Sequence, residues 1–310
     1  MKVVILEPVV DRLKELVKNS NPEWVYYNNS PKDKDELIER LKGAEAATGH
    51  NTYFDEEIFS KCPNLRFVAA PAIGAEMFVD MKAAKKYGVT VMNCPGYNAE
   101  AVAETAFMLA LGVTRLLPEI HAGLGTGKWV DTVERGSQMK GKKAGIIGNG
   151  SISKALQVLL KGWSCEVEYI DSSSSQEQIN KLISDNDYVF VCCPLNYSTR
   201  GLVSRDRIAS MQSNSVLVNV ARGPIIDENA LYEALRMKKI AGAGLDVFED
   251  EPQYSEVLPE SIERFRKLDN VLITPHVAGK STESGVSLGE IVYANLLSCT
   301  EGKPQNIFLG

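Results

Sequence analysis

Short apolar runs alternate with amphipathic stretches along the whole chain. The early runs are Val3–Leu6, Ala44–Thr48, Phe67–Ala70 and Val89–Met92. The later ones are Ala144–Ile147, Val167–Ile170, Tyr188–Cys193, Val216–Val220, Gly242–Leu245 and Val271–Thr274. Runs of this kind read as strands, and strands that alternate with helical patterns predict βαβ units and parallel sheets. Two such sets stand apart. The first ends near Cys94-Pro95-Gly96 and the second starts near Lys143. Between them the Ala- and Leu-rich stretch Asn98–Leu111 predicts a helix with Asn98 as N-cap. That helix carries the chain from one domain to the other, and a last helix over Thr282–Cys299 carries it back. The expected domains are therefore 1–97 completed by 283–310, and 98–282.

Composition narrows the function classes. With 310 residues the chain suits two domains, and 44% hydrophobic with 24% charged residues is ordinary for a soluble globular protein. A net charge of −6 argues against a broad nucleic-acid surface. No apolar run approaches the ~20 residues of a membrane span. The start, Met1–Glu7, lacks a cleavage-like site and reads as a first strand rather than a leader. Six cysteines form no C-x-x-C pair and read as buried thiols of a reducing, cytoplasmic compartment. No metal site is assigned.

One strand ends in a glycine turn, Gly148-Asn149-Gly150-Ser151-Ile152-Ser153. Gly148 permits a tight turn, and Gly150 lets the backbone approach a pyrophosphate at the start of the following helix. Ser153 stands where a third glycine is usual. The next strand ends in Asp171, where an acid is expected to hold the ribose hydroxyls of NAD. Asp171 repels a 2′-phosphate, and Ser172–Ser175 offer no arginine to neutralise one. Three further strand ends lead to Arg222, to the acidic stretch Asp246–Glu251, and to Thr274-Pro275-His276. A parallel sheet gathers the C-terminal ends of its strands at one crevice. There Arg222 suits a substrate carboxylate through a bidentate fork, His276 a proton transfer, and Glu251 the orientation of the imidazole.

Taken together these segments resemble the D-isomer-specific 2-hydroxyacid dehydrogenases. The specific matches are Gly127-Lys128-Trp129, Leu195–Val203, Asn219–Gly223, Ala243–Phe248 and Thr274-Pro275-His276. The resemblance implies an α/β fold of two doubly wound parallel-sheet domains, a Rossmann NAD-binding domain and a flavodoxin-like substrate domain. It implies Arg222 as carboxylate binder, Glu251 as the carboxylate partner, His276 as acid/base and Asp246 as a contact of the nicotinamide amide. Gly148, Asn149, Gly150, Ser151, Ile152, Asp171, Cys192, Ala221, Asp246 and His276 are then expected at NAD. Ile73, Gly74, Ala75 and Arg222 are expected at the substrate, with domain closure excluding water. It further implies a homodimer formed through the nucleotide domain, with Val102–Leu117 at the interface.

The sequence departs from the family pattern at Ser153, at Met77 and Phe78, and at His50-Asn51. Met77 and Phe78 suit core packing and pocket lining equally. His50 suits a solvent-facing role or a substrate contact. The loops Gly49–Phe54 and Ala70–Phe78 hold Tyr53, Phe54, Met77 and Phe78 but no Lys or Arg. The expected activity is the NAD-dependent interconversion of a small unphosphorylated 2-oxoacid and its D-2-hydroxyacid. The alternative is an NAD-sensing, non-catalytic corepressor on the same scaffold, against which the intact Arg–Glu–His set speaks. A formate-dehydrogenase-like activity is disfavoured by Glu251, where that relative has glutamine.

Overall fold

A computed structural model describes every residue except 128, 130–135, 253–256 and 310. In chain order its elements are β1 (Val3–Ile5), α1 (Asp11–Ser20), β2 (Val25–Tyr26), α2 (Lys34–Arg40), β3 (Ala46–Thr48), α3 (Glu56–Lys61), β4 (Phe67–Ala69), α4 (Met81–Tyr87) and β5 (Thr90–Met92). There follow α5 (Ala99–Thr114), α6 (Leu117–Gly125), β6 (Lys143–Ile147), α7 (Ser151–Gly162), β7 (Glu166–Ile170), α8 (Gln176–Asp185), β8 (Tyr188–Val191), α9 (Arg205–Ser210) and β9 (Val216–Asn219). The chain ends with α10 (Glu228–Arg236), β10 (Gly242–Leu245), α11 (Glu260–Arg266), β11 (Val271–Ile273) and α12 (Thr282–Thr300). Each apolar run named above contains a strand. The two-residue β2 was not expected, because Val25-Tyr26 is too short to stand out as a run.

The chain divides into two compact units, Met1–Asn98 with Lys280–Gly310, and Ala99–Gly279. The expected divisions, after residues 97 and 282, lie one and three residues away. Asn98 directly precedes α5, but its Oδ1 is buried without a hydrogen-bond partner, so it does not cap the helix as expected.

The first unit is a parallel sheet in the order β2-β1-β3-β4-β5. This is the flavodoxin-like order. Leu37, Ile58, Phe59 and Ala84 belong to one apolar cluster, and Leu13, Val17, Val292 and Leu296 to another. Helices thus cover both faces, as a parallel sheet requires.

The second unit is a parallel sheet in the order β7-β6-β8-β9-β10-β11. It keeps the switch point of a nucleotide-binding sheet between β6 and β8, where strand order reverses. Among the described residues no strand lies outside β7, because the segment between β7 and β8 holds only α8. Leu109 and Leu156 pack on one face, and Ile183, Leu231 and Phe265 on the other. Close contact explains Gly244 in β10. A Cβ there would stand 2.6 Å from the Leu109 Cβ, so glycine lets α5 lie directly on the strand. Gly244→Val should therefore overpack this layer and cost about 1–3 kcal/mol. Unfolding in urea, followed by circular dichroism, measures it, and a midpoint equal to that of the parent would contradict the close-packing argument.

Candidate active site

The switch point of the second unit is built around Gly148. This residue has φ +120°, and a Cβ would stand 2.8 Å from the Cys192 carbonyl oxygen. Only glycine lets the turn after β6 press against the chain leaving β8. α7 then starts at Ser151 with Gly150 as its N-cap and no side chain capping it. A Cβ at Gly150 would meet nothing within 4 Å. An open, uncapped helix start offers backbone N–H groups and the positive end of the helix dipole to an anion. Ser153 is fully buried, so the small side chain at the third fingerprint position is absorbed by packing.

Asp171 follows β7 directly. Its Oδ1 accepts from the Ser173 Oγ at 2.6 Å and the Ser173 N–H at 2.9 Å. These two bonds, helped by the Asn149 side chain, hold the carboxyl below its usual range. Asp171 is therefore ionised and in reach of the glycine turn, as a ribose-binding acid needs to be. Burial pushes the Cys192 thiol up, with the neighbouring Cys193 adding to the shift, so this cysteine offers no thiolate there. The uncapped helix start, the glycine cradle and the ionised Asp171 fit a dinucleotide.

The ends of β9, β10 and β11 carry the chemistry. Asn219, almost wholly buried, accepts from the Ala221 N–H at 3.0 Å and donates to the Arg222 carbonyl at 3.0 Å. It thereby folds the turn that presents Arg222, whose Nη1 donates to the Ala221 carbonyl at 2.7 Å. His276 Nδ1 and Glu251 Oε2 are 2.6 Å apart. The other carboxylate oxygen, Oε1, accepts from the Phe248 N–H at 2.8 Å. Burial works against the Glu251 anion, but the bonds from His276 and Phe248 and the charges of His276 and Arg222 outweigh it. The carboxyl is held below its usual range. Arg222, Glu251 and His276 thus lie together. Gly223 makes this possible, since a Cβ there would fall 2.1 Å from the Phe248 carbonyl carbon.

Asp246, expected at the nicotinamide, has its carboxylate held by the protein. It is 1% exposed. Oδ1 accepts from Thr274 Oγ1 at 2.5 Å and from the Val277 N–H at 3.0 Å, and Oδ2 accepts from the Ala278 N–H at 3.0 Å. Its backbone N–H donates to the Asn219 carbonyl, and its carbonyl accepts from the His276 N–H at 2.8 Å. His276 has φ +51°, in the left-handed region that a non-glycine residue enters only when held there. The sequence reading assigned no role to Asn219 or Thr274. An Asn that closes β9 and a Thr just past β11 are the only trace they leave in the sequence.

In the first unit, Ile73, Gly74 and Ala75 follow β4 and lead into a single 3₁₀ turn, Ala75–Met77. The Ile73 carbonyl accepts from Asn93 Nδ2 at 2.7 Å. Ala75 is wholly buried, and its carbonyl accepts from the Phe78 and Val79 N–H groups. Phe54 is fully buried in the core. Phe78 packs partly on the same core, with the His50 ring 6.0 Å away, whereas Tyr53 and Met77 are exposed. Lys128 of the Gly127-Lys128-Trp129 match lies outside the described residues.

Residues 107–278 match the family described as D-isomer specific 2-hydroxyacid dehydrogenase, NAD binding domain. A glyoxylate reductase of Korarchaeum cryptofilum is 33% identical over 299 residues, covering 91% of this chain and 88% of that protein. A D-3-phosphoglycerate dehydrogenase of Archaeoglobus fulgidus is 30% identical, covering 98% of this chain and 58% of that protein. Among solved structures, the TT0316 protein of Thermus thermophilus superposes with a TM-score of 0.85 at 27% identity, covering all of both chains. NAD is thus the cofactor of the nucleotide unit. Asp171 should give NADH a kcat/KM advantage over NADPH on the order of a hundredfold, because like charges brought together cost several kcal/mol. Asp171→Ser should narrow that gap, and a clear NADPH preference in the parent enzyme would refute the role of Asp171.

Proposed function

Because this chain belongs to the D-isomer-specific 2-hydroxyacid dehydrogenase family, we propose that its Arg222, Glu251 and His276 reduce a small, unphosphorylated 2-oxoacid to the D-2-hydroxyacid. The observation that carries this reading is the 2.6 Å pairing of His276 Nδ1 with Glu251 Oε2, with Arg222 close by. Bound NADH supplies the hydride. Arg222 holds the substrate carboxylate through its guanidinium fork. With Nδ1 committed to Glu251, the imidazole has Nε2 left for the keto oxygen, and gives it a proton as the oxygen gains charge. The Glu251 anion stabilises the imidazolium from the other side. Oxidation uses the same groups with His276 neutral, and so suits higher pH. We retain Ile73, Gly74 and Ala75 as substrate-binding residues on the family resemblance.

The absence of Lys and Arg from Gly49–Phe54 and Ala70–Phe78 supports an unphosphorylated substrate, since a phosphate needs cationic anchors. Exposed Met108, Leu117, Leu124 and Trp163 on and after α5 support a homodimer through the nucleotide unit. A cytoplasmic location is supported by six cysteines, all free. No single helix among the described residues is long and apolar enough to cross a membrane.

Steady-state reduction of a 2-oxoacid panel with NADH tests the reading. Turnover is expected with glyoxylate, hydroxypyruvate or a larger 2-oxoacid. A strong preference for 3-phosphohydroxypyruvate over hydroxypyruvate would sink the substrate assignment. His276→Ala should lower kcat by roughly 10²–10⁴. Arg222→Ala should raise KM for the oxoacid and lower kcat while NADH binding, followed by fluorescence, is kept. Glu251 has a depressed pKa, so its anion is present above the ordinary carboxylate range and is lost only as pH falls through the lower folded value. The acid limb of reduction set by Glu251 should therefore lie below about pH 4.3, the ordinary glutamate value. Glu251→Gln should shift the alkaline limb to lower pH, because the imidazolium loses its anionic partner. An unchanged profile would remove Glu251 from the mechanism.

A further inference from the structure

Glu228 opens α10 but does not cap it. That task falls to Asp227, whose Oδ1 accepts from the Ala230 N–H at 2.9 Å. The Glu228 carboxylate reaches instead to another loop, where Oε1 accepts from the Glu249 N–H at 2.7 Å. The preceding N–H, that of Phe248, goes to Glu251 Oε1 at 2.8 Å. Two consecutive amides of one turn are thus held by two carboxylates, one from α10 and one from the turn itself. Gly223 sets a second constraint, because its α-carbon lies against the Phe248–Glu249 peptide with no room for a Cβ. The turn is gripped between α10 and the Arg222 loop, and its far end is Glu251, which pairs with His276.

We propose that Glu228 is a positioning residue for Glu251, clamping the Phe248–Glu251 turn through the Glu249 amide so that Glu251 stays aimed at His276. This rests on the reading that Glu251 and His276 act on the substrate proton. The charged groups around Glu228 are Glu249 and Asp250 of the turn, Arg264 of α11, Asp227 beside it and Arg200 after β8. Arg200 pairs with Glu249 at 3.4 Å, and Arg264 donates to Asn229 Oδ1 at 2.9 Å. Burial raises the Glu228 carboxyl above its usual range, with Glu249 and Asp250 adding to the shift while the Glu249 amide and Arg264 oppose it. The clamp needs an acceptor oxygen rather than a charge. Glutamine keeps that oxygen and alanine removes it.

The test compares the parent enzyme with Glu228→Gln, Glu228→Ala and Glu251→Gln, reading the pH profile of kcat for reduction at saturating NADH. NADH affinity by fluorescence titration and the thermal midpoint are measured alongside. Glu228→Ala should lower kcat roughly fivefold, the scale of one lost hydrogen bond. It should also move the alkaline limb in the same direction as Glu251→Gln but less far, with NADH affinity unchanged. Glu228→Gln should stay within about twofold of the parent. If Glu251→Gln moves the limb and Glu228→Ala does not, even with a lowered midpoint, this inference is overturned alone. A Glu228→Gln variant no better than Glu228→Ala also overturns it. An unmoved limb in Glu251→Gln overturns the underlying reading and this inference with it.

Discussion

The buried carboxylate of Asp246 is the fixed point of the nucleotide unit. A left-handed non-glycine residue costs on the order of 1–3 kcal/mol and persists only where its surroundings enforce it. His276 is such a residue. Three donors from its own loop, the Thr274 hydroxyl and the amides of Val277 and Ala278, converge on the Asp246 side chain. The Asp246 backbone meanwhile links the Asn219 carbonyl to the His276 amide. One residue at the end of β10 therefore ties together the loops that present Arg222 and His276. A buried carboxylate is tolerable because hydrogen bonds satisfy it, and those bonds are the ones that shape the site.

From this anchor the electrostatics follow. Glu251 reaches His276 from a turn whose amides are themselves held, so its anion meets the imidazole in one geometry. Arg222 adds a cation close enough to favour that anion. The arrangement keeps a negative charge beside the imidazole and a positive charge close by, and in the proposed function these serve the proton and the substrate carboxylate. Because all three loops leave the C-terminal edge of a single sheet, rigid strands set their spacing.

Much of this was legible in the sequence. All ten apolar runs contain strands, because parallel strands covered on both faces favour apolar side chains, although β7, at a sheet edge, keeps Glu166, Glu168 and Tyr169 exposed. The glycine turn and Asp171 could be read because their chemistry is local. What could not be read depends on long-range contact. β2 has two residues and takes its identity from pairing with β1. Asn98 looks like a cap, yet its side-chain oxygen is buried without a partner. Phe54 shares a short loop segment with exposed Tyr53, and its ring belongs to the core. The left-handed His276 and the inward-facing Asp246 depend on hydrogen bonds spanning about thirty residues, which no local pattern records.

The pairing of Glu251 with His276 is the claim on which the chemistry turns, and the tautomer of His276 tests it most directly. Nitrogen-15 NMR of the labelled protein above the imidazole titration, with the His276 signals identified by their loss in His276→Ala, reads which ring nitrogen keeps the proton. The expected result is a proton on Nδ1, donated to Glu251, with Nε2 bare and available to a substrate. A proton on Nε2, unaffected by Glu251→Gln, would contradict it.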